Sequence, residues 1–239
     1  MEIRVFDNLT SLNESFTAYL KEILADRERI TVALSGGSTP KSLFDYWAKN
    51  HKNDIDWNRV FFFWGDERCV PPTDEQSNYN MTRGHLLNHV VIPERNVFRI
   101  KGENEPAAEA ERYSTLLQME VDKTDGIPSF DLIILGMGDD GHTASIFPQE
   151  IELWKSESFC VVATHPETGQ KRVSLSGKVI NHAQHVVFLV TGTTKAEKVK
   201  KIIGSRKEVK SIYPAAKVKP ISGNLVWFLD EEAAKLLKA

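Results

Sequence analysis

The chain has 239 residues, 41% of them hydrophobic and 26% charged, the proportions of a folded soluble protein rather than a disordered one. Its formal net charge of −3 argues against a surface built for nucleic acid or anionic membrane, so positive charge for an anionic ligand has to be gathered locally. Two cysteines, Cys69 and Cys160, lie far apart without metal or redox spacing, and no run reaches the length of a signal-peptide core or a membrane span; a reducing, cytoplasmic setting is expected.

Short apolar runs alternate with amphipathic stretches along the chain. EIRVF (2–6) reads as a first strand, and apolar residues at Leu9, Leu12, Phe16, Tyr19, Leu20, Ile23 and Leu24 predict a helix over 8–26. ITVALS (30–35) reads as a strand that leads through GGSTP into a helix over 40–50, with Pro40 in the first turn. VFFFWGDE (60–67) reads as a buried strand, followed by a long loop (67–78) and a helix near 78–87. Helical spacing returns over 105–122, then FDLIIL (130–135) reads as a strand and TASIF as the start of a helix. Further strands are expected at CVVATH (160–165), RVSLS (172–176) and HVVFLVTG (185–192), the last leading into a helix over 195–203. A loop over 204–224, the strand LVWFLD (225–230) and a final helix capped by Asp230 close the chain. This alternation predicts one α/β domain over 1–239, a mainly parallel sheet with helices on both faces.

Four junctions where a strand ends carry residues suited to chemistry. In ALSGGSTP (33–40), the backbone N–H groups of Gly36, Gly37, Ser38 and Thr39 at a helix N-terminus suit an anion, although neither the GxxxxGK[ST] nor the GxGxxG spacing is present. A plain tight turn with a Ser/Thr cap is the other reading. In WGDERCVPP (64–72), Arg68 suits two-pronged contact with a phosphate, and Asp66 or Glu67 suits holding Arg68 or accepting from substrate hydroxyls. The alternative there is a solvated salt-bridge cluster. LGMGDDGHTASIFP (135–148) sets His142 beside two aspartates, near the start of an expected helix, as a general base oriented by a carboxylate; an incidental surface histidine in a turn-rich connector is the competing reading. No second histidine or cysteine cluster accompanies it, so metal binding is weakly supported, and of the scattered remaining histidines only His165, before Pro166, draws notice. Arg172 opens RVSLS, and Lys195 in TGTTKAEK stands at a helix start, a place that disfavours a cation unless it faces an anion.

Taken in order, LSGGSTP, WGDER, SNYNM, LGMGDDGHTASIFP, RVSLS with Asn181 following, TGTTKAEK and LVWFLDEEAA resemble the 6-phosphogluconolactonase family over nearly the whole chain. The wider superfamily includes glucosamine-6-phosphate deaminases, whose pattern continues after the histidine loop with Phe-Asn-Glu-Pro; the matching stretch here, Ser145-Ile146-Phe147-Pro148, lacks the glutamate. The resemblance implies a Rossmann-like α/β fold and hydrolysis of 6-phospho-D-glucono-1,5-lactone to 6-phosphogluconate in the oxidative pentose phosphate pathway. It also implies that water is activated by histidine without a cofactor or metal. Carried over residue by residue, it makes His142 the general base and Asp140 the loop aspartate, with Asp139 at a variable position and without a role. Arg68 and Lys195 then match phosphate contacts, Arg172 a substrate contact, and Asn78, Tyr79 and Asn181 motif positions of unstated job. A small phosphosugar is the expected partner, with the protein a monomer or weak homo-oligomer and neither nucleic acid nor membrane involved. A deaminase/isomerase-like enzyme and a catalytically silent sugar-phosphate sensor are the alternatives.

Overall fold

The computed structural model describes residues 1–237. Its strands are β1 (Glu2–Phe6), β2 (Ile30–Leu34), β3 (Val60–Trp64), β4 (Asp66–Arg68), β5 (Val97–Phe98), β6 (Lys123–Thr124), β7 (Ile127–Pro128), β8 (Leu132–Leu135), β9 (Cys160–Thr164), β10 (Lys171–Leu175), β11 (His185–Val190) and β12 (Leu225–Asp230). The α-helices are α1 (Leu9–Ala25), α2 (Ser38–Asn50), α3 (Asn78–Thr82), α4 (Pro106–Glu120), α5 (Gly177–His182), α6 (Ala196–Gly204), α7 (Arg206–Val209) and α8 (Glu231–Ala234).

Seven strands form one sheet in the order β1-β12-β11-β8-β2-β3-β5, and every pairing in it is parallel. β2 and β8 are buried at every residue, as expected of the mainly apolar sequences ITVAL and LIIL in strands covered on both faces, and the polar Thr31 is satisfied by donating to Asp131 Oδ2 at 2.9 Å. Successive residues of β12 serve opposite faces. Phe228 meets Phe16 and Tyr19 of α1, whereas Trp227 stacks on Phe188 of β11 with ring centroids 4.0 Å apart. From β2 the chain runs outward through β3 to β5, then returns to build β8, β11 and β12 on the other side. The β2–β8 neighbours therefore mark the topological switch point, where open α/β sheets bind ligands beyond the carboxyl ends of their strands.

The parallel sheet with flanking helices is as the sequence predicts, but four stretches differ. The strand expected over 60–67 is two strands separated by Gly65, whose N–H donates to the Leu34 carbonyl and whose carbonyl accepts from Leu175 N–H, each at 2.8 Å. β4 thereby leaves the main sheet and joins β10 and β9 in a separate antiparallel sheet, so RVSLS and CVVATH do not extend the parallel one. No helix follows His142 directly: Ala144 has φ of 47°, Thr143 and Ile146 form an isolated bridge, and helical turns begin only at Pro148, as a 3₁₀ segment over Pro148–Lys155. Third, the loop expected over 204–224 contains α7 and a 3₁₀ turn, Pro214–Lys217, while α5, too short to show a helical period, had no sequence signal. The helix expected over 78–87 is α3 followed by a single wide π turn over Arg83–Leu87. Asp230 caps α8 as expected, accepting from Ala233 N–H, and residues 238–239 of that closing segment lie outside the described residues. No helix among the described residues is long and apolar enough to cross a membrane.

Candidate active site

The turn after β2 delivers the N-terminus of α2. Gly37 is its cap, with φ of 107°, a conformation that only glycine adopts without strain, and no side chain caps the first turn. The amide N–H groups at that terminus are therefore left for a ligand, and they favour an anion. Thr39 Oγ1 shares a 2.7 Å hydrogen bond with Thr191 Oγ1, which ties this turn to the one after β11.

From the opposite wall come two arginines. Arg68 of β4 and Arg172 of β10 are register partners, so like charges face each other across an antiparallel pair, an arrangement that destabilises unless an anion intervenes. Neither forms an ion pair among the described residues, and the Nε of each is buried without a hydrogen-bond partner. Arg68 Nη1 donates to the Gln76 carbonyl, and the Arg172 guanidinium lies 5.5 Å from the Phe147 ring centroid. Burial, and then the charge of Arg68, lowers the pKa of Arg172 from the usual arginine value.

The two carboxylates of WGDER have separate tasks, and neither is the side-chain partner of Arg68 that the sequence allowed. Glu67 is buried and points away from the site; it accepts from the backbone N–H groups of Arg68 (2.8 Å), Asn78 (2.7 Å) and Tyr79 (2.8 Å) and from Ser77 Oγ (3.0 Å). Burial raises its pKa above the ordinary carboxylate value against the pull of those donors. Asp66 is also buried but lines the cavity; its Oδ2 accepts from Ser145 Oγ at 2.5 Å, and its Oδ1 has no protein partner among the described residues.

His142 stands on the loop after β8. Its Nδ1 lies 2.6 Å from Asp140 Oδ1, which also accepts from His142 N–H at 3.0 Å. Burial pushes the Asp140 carboxyl up, yet the hydrogen bonds and charge of His142 together hold it below its ordinary pKa. An ionised Asp140 can only accept, so Nδ1 carries a proton, and in the neutral imidazole the lone pair is then on Nε2. The ring is oriented by Asp140, while the helix expected directly after His142 does not start here, so no helix dipole acts on the imidazole, which corrects that part of the expectation from sequence. The other side of the ring packs on Phe147, with centroids 4.7 Å apart. Gly138 permits the arrangement: a Cβ there would lie 2.2 Å from His142 Nδ1 and 2.6 Å from Asp140 Oδ1.

Lys195 immediately precedes α6, and its Nζ lies 2.7 Å from Asp139 Oδ1. The sequence reading gave Asp139 no role; the structure makes it the anion that this lysine faces.

These groups surround a cavity of about 220 Å³ at the switch point. It is lined by Gly36, Gly37, Ser38, Thr39, Asp66, Arg68, His142, Arg172 and Lys195, that is, by every expected site residue except Asp140, which stands behind His142. Asn78 also lines it, buried at the start of α3 with Nδ2 donating to the Asp66 carbonyl at 2.9 Å; its place in SNYNM was the only sequence signal. Tyr79 and Asn181 do structural work instead. Tyr79 packs edge-on against Trp64, and Asn181 binds the backbone of Lys217 and Lys219. His165 accepts from the amides of Glu167 and Thr168 in a turn outside the cavity. No group of three or more His, Cys, Asp or Glu side chains is placed to hold a metal ion among the described residues.

The family of glucosamine-6-phosphate isomerases/6-phosphogluconolactonase matches residues 7–227. A 6-phosphogluconolactonase of Treponema pallidum is 47% identical over 197 residues, covering 82% of each chain. The crystal structure of a devB protein superposes with a TM-score of 0.94 at 40% identity, covering 99% of each chain. The structure of 6-phosphogluconolactonase from Trypanosoma brucei superposes with a TM-score of 0.88 at 31% identity, covering 99% of this chain and 98% of that one. With this likeness spanning the sheet, the switch-point cavity and the loops that line it, the chain belongs to the glucosamine-6-phosphate isomerase/6-phosphogluconolactonase family.

Proposed function

We propose that the protein hydrolyses 6-phospho-D-glucono-1,5-lactone to 6-phospho-D-gluconate, with the 6-phosphate held by Arg68, Lys195 and the α2 N-terminus and with C1 beside His142. One observation carries this reading: a histidine oriented through Nδ1 by a carboxylate shares a cavity with two arginines that have no carboxylate partner among the described residues. His142 Nε2 takes a proton from water as the water oxygen attacks C1. The tetrahedral oxyanion collapses, the bond from C1 to the ring oxygen breaks, and the imidazolium returns the proton to that oxygen. General-base assistance of this kind is worth roughly 10²–10⁴-fold. The phosphate takes no part in bond making, but anchoring it fixes C1 relative to His142 and turns binding energy into orientation. Arg172 contacts the substrate from β10, and Asp66 Oδ1 is available to a sugar hydroxyl.

Deamination of glucosamine 6-phosphate is the nearest rival. Phe147 supports the lactonase, because it occupies the place where the deaminase pattern carries its glutamate and presents an apolar ring to His142. The name of the Treponema relative supports the same reading. The reading places the protein in the cytoplasm as a monomer or weak homo-oligomer; Cys69 and Cys160 are both free, in line with a reducing compartment.

The test is a pH-stat assay of freshly prepared 6-phosphogluconolactone with the spontaneous rate subtracted. Wild type is expected to accelerate hydrolysis and to release no ammonia from glucosamine 6-phosphate. His142→Ala is expected to lose at least about 10²-fold in kcat while still binding 6-phosphogluconate. Turnover by that variant at the wild-type rate would overturn the assignment, and saturable binding without turnover by wild type would mark a sensor.

A further inference from the structure

Asp139 lies on the same loop as the proposed base, one residue before Asp140. Besides its contact with Lys195 Nζ, its Oδ1 accepts from Thr194 Oγ1 at 2.9 Å. Asp139 belongs to the loop after β8 and both partners to the turn after β11, so the cluster joins two of the strand ends that wall the cavity. Stability of the fold does not account for it. The Asp139 side chain is 67% exposed, and ion pairs so open to water contribute little to folding; β8 and β11 are in any case already paired in the main sheet.

The order of the groups is more informative. Lys195 lines the cavity, Asp139 holds Lys195, and the next residue, Asp140, holds Nδ1 of His142. A short continuous path thus runs from a cation assigned to the phosphate to the base assigned to C1. An ammonium has three N–H donors, so Lys195 can keep its contact with Asp139 while giving another to a bound phosphate oxygen. The hydrogen bond from Lys195, followed by that from Thr194, outweighs burial and keeps the Asp139 carboxyl below its ordinary pKa, so it is ionised at neutral pH.

We infer that Asp139 is a positioning residue: through Lys195 it couples occupation of the phosphate site to the placement of the Asp140–His142 pair, so that phosphate binding raises kcat as well as lowering KM. This rests on the functional reading above and adds to it a residue to which the resemblance assigned no role. A mere counter-ion of Lys195 would act differently, since its removal would alter affinity and leave the turnover of bound substrate unchanged.

Asp139 has no left-handed backbone, so alanine there adds no strain, and Asp139→Glu restores the charge one methylene further out. Wild type and both variants would be assayed with 6-phosphogluconolactone and with unphosphorylated 1,5-gluconolactone, the latter with and without inorganic phosphate. Asp139→Ala is expected to lower kcat on the phosphorylated lactone about fivefold or more, with a smaller change in KM, an unaltered melting temperature and partial rescue in Asp139→Glu. Inorganic phosphate is expected to accelerate hydrolysis of the neutral lactone by wild type and to do so much less in Asp139→Ala. A loss confined to KM, equal activation by phosphate in both proteins, or no activation of wild type would each overturn the coupling. A wild type that hydrolyses neither lactone would overturn the functional reading, and the coupling with it.

Discussion

Gly138→Ala separates steric placement of the base from every other effect on the loop. Gly138 is not among the residues with positive φ, so alanine meets no backbone penalty. The added Cβ would instead lie 2.2 Å from His142 Nδ1 and 2.3 Å from its Cε1, whereas ordinary van der Waals contact starts at 3.4 Å. The ring must therefore retreat by about 1 Å, and the same Cβ, 2.6 Å from Asp140 Oδ1, pushes away the carboxylate that orients it. A misplacement of that size costs about 10²-fold in rate, equivalent to ~2.7 kcal/mol of transition-state stabilisation. Overpacking adds about 1–3 kcal/mol of destabilisation, which for a chain of this length lowers Tm by about 2–12 °C. Initial rates in a pH-stat, with calorimetry on the same preparation, distinguish the two effects. Gly138→Ala is expected to be folded at the assay temperature, to bind 6-phosphogluconate nearly as well as wild type, and to turn over about 10²-fold more slowly. A kcat within about threefold of wild type would refute the reasoning, because a base in the described position cannot accommodate that methyl group.

Two further outcomes follow from the electrostatics. Arg172→Met is expected to raise KM about 10- to 100-fold through loss of a charged hydrogen bond to substrate, with no fall in Tm, because it removes a like charge facing Arg68; a lower Tm with unchanged KM would show the guanidinium to be structural. His185, half-buried with Nδ1 2.7 Å from Tyr19 Oη, has its pKa lowered by burial and then by the charge of Arg27. As pH falls below about 6.5 the unfolded chain takes up a proton that the folded form resists, so stability is fully present above that pH and is lost as pH descends through the lowered folded value. Urea midpoints measured between about pH 8 and pH 5 are expected to fall more steeply for wild type than for His185→Gln, and parallel curves would refute the assignment.

The parts of this protein that were legible in the sequence are those governed by local periodicity. ITVAL and LIIL announce buried parallel strands because no charge interrupts them and apolar residues dominate, and the apolar spacing from Leu9 to Leu24 announces α1. Part of the cavity was legible because the turn before α2, the His142 loop and the Lys195 turn leave the carboxyl ends of the parallel strands β2, β8 and β11. What stayed hidden depends on pairing between distant segments. Gly65 looks like part of one strand until Leu34 and Leu175 are seen to bind its two backbone groups, and only then does β4 turn toward β10. Glu67 looked like a ligand for Arg68 or substrate because nothing local reveals that four donors, three of them from 77–79, converge on it. Asp139 has no role in the sequence reading because the resemblance leaves its position variable, and nothing local points to its partner: Lys195 is 56 residues away in sequence, on the turn after β11.

That division also explains why Phe147 stands where a deaminase carries glutamate. The base comes from the parallel sheet and the arginine pair from the antiparallel one, and Phe147 is where the two halves touch, its ring 4.7 Å from that of His142 and 5.5 Å from the Arg172 guanidinium. A carboxylate at this position would pair with Arg172 and withdraw its charge from the substrate. It would also stand beside His142 as a second acid, useful for moving protons among several carbons and nitrogens of an opened sugar. Lactone hydrolysis needs only one proton shuttled between water and the ring oxygen. On the proposed mechanism an apolar ring serves that purpose better, because it would leave Arg172 available to the substrate and Asp140 as the carboxylate beside the proposed base.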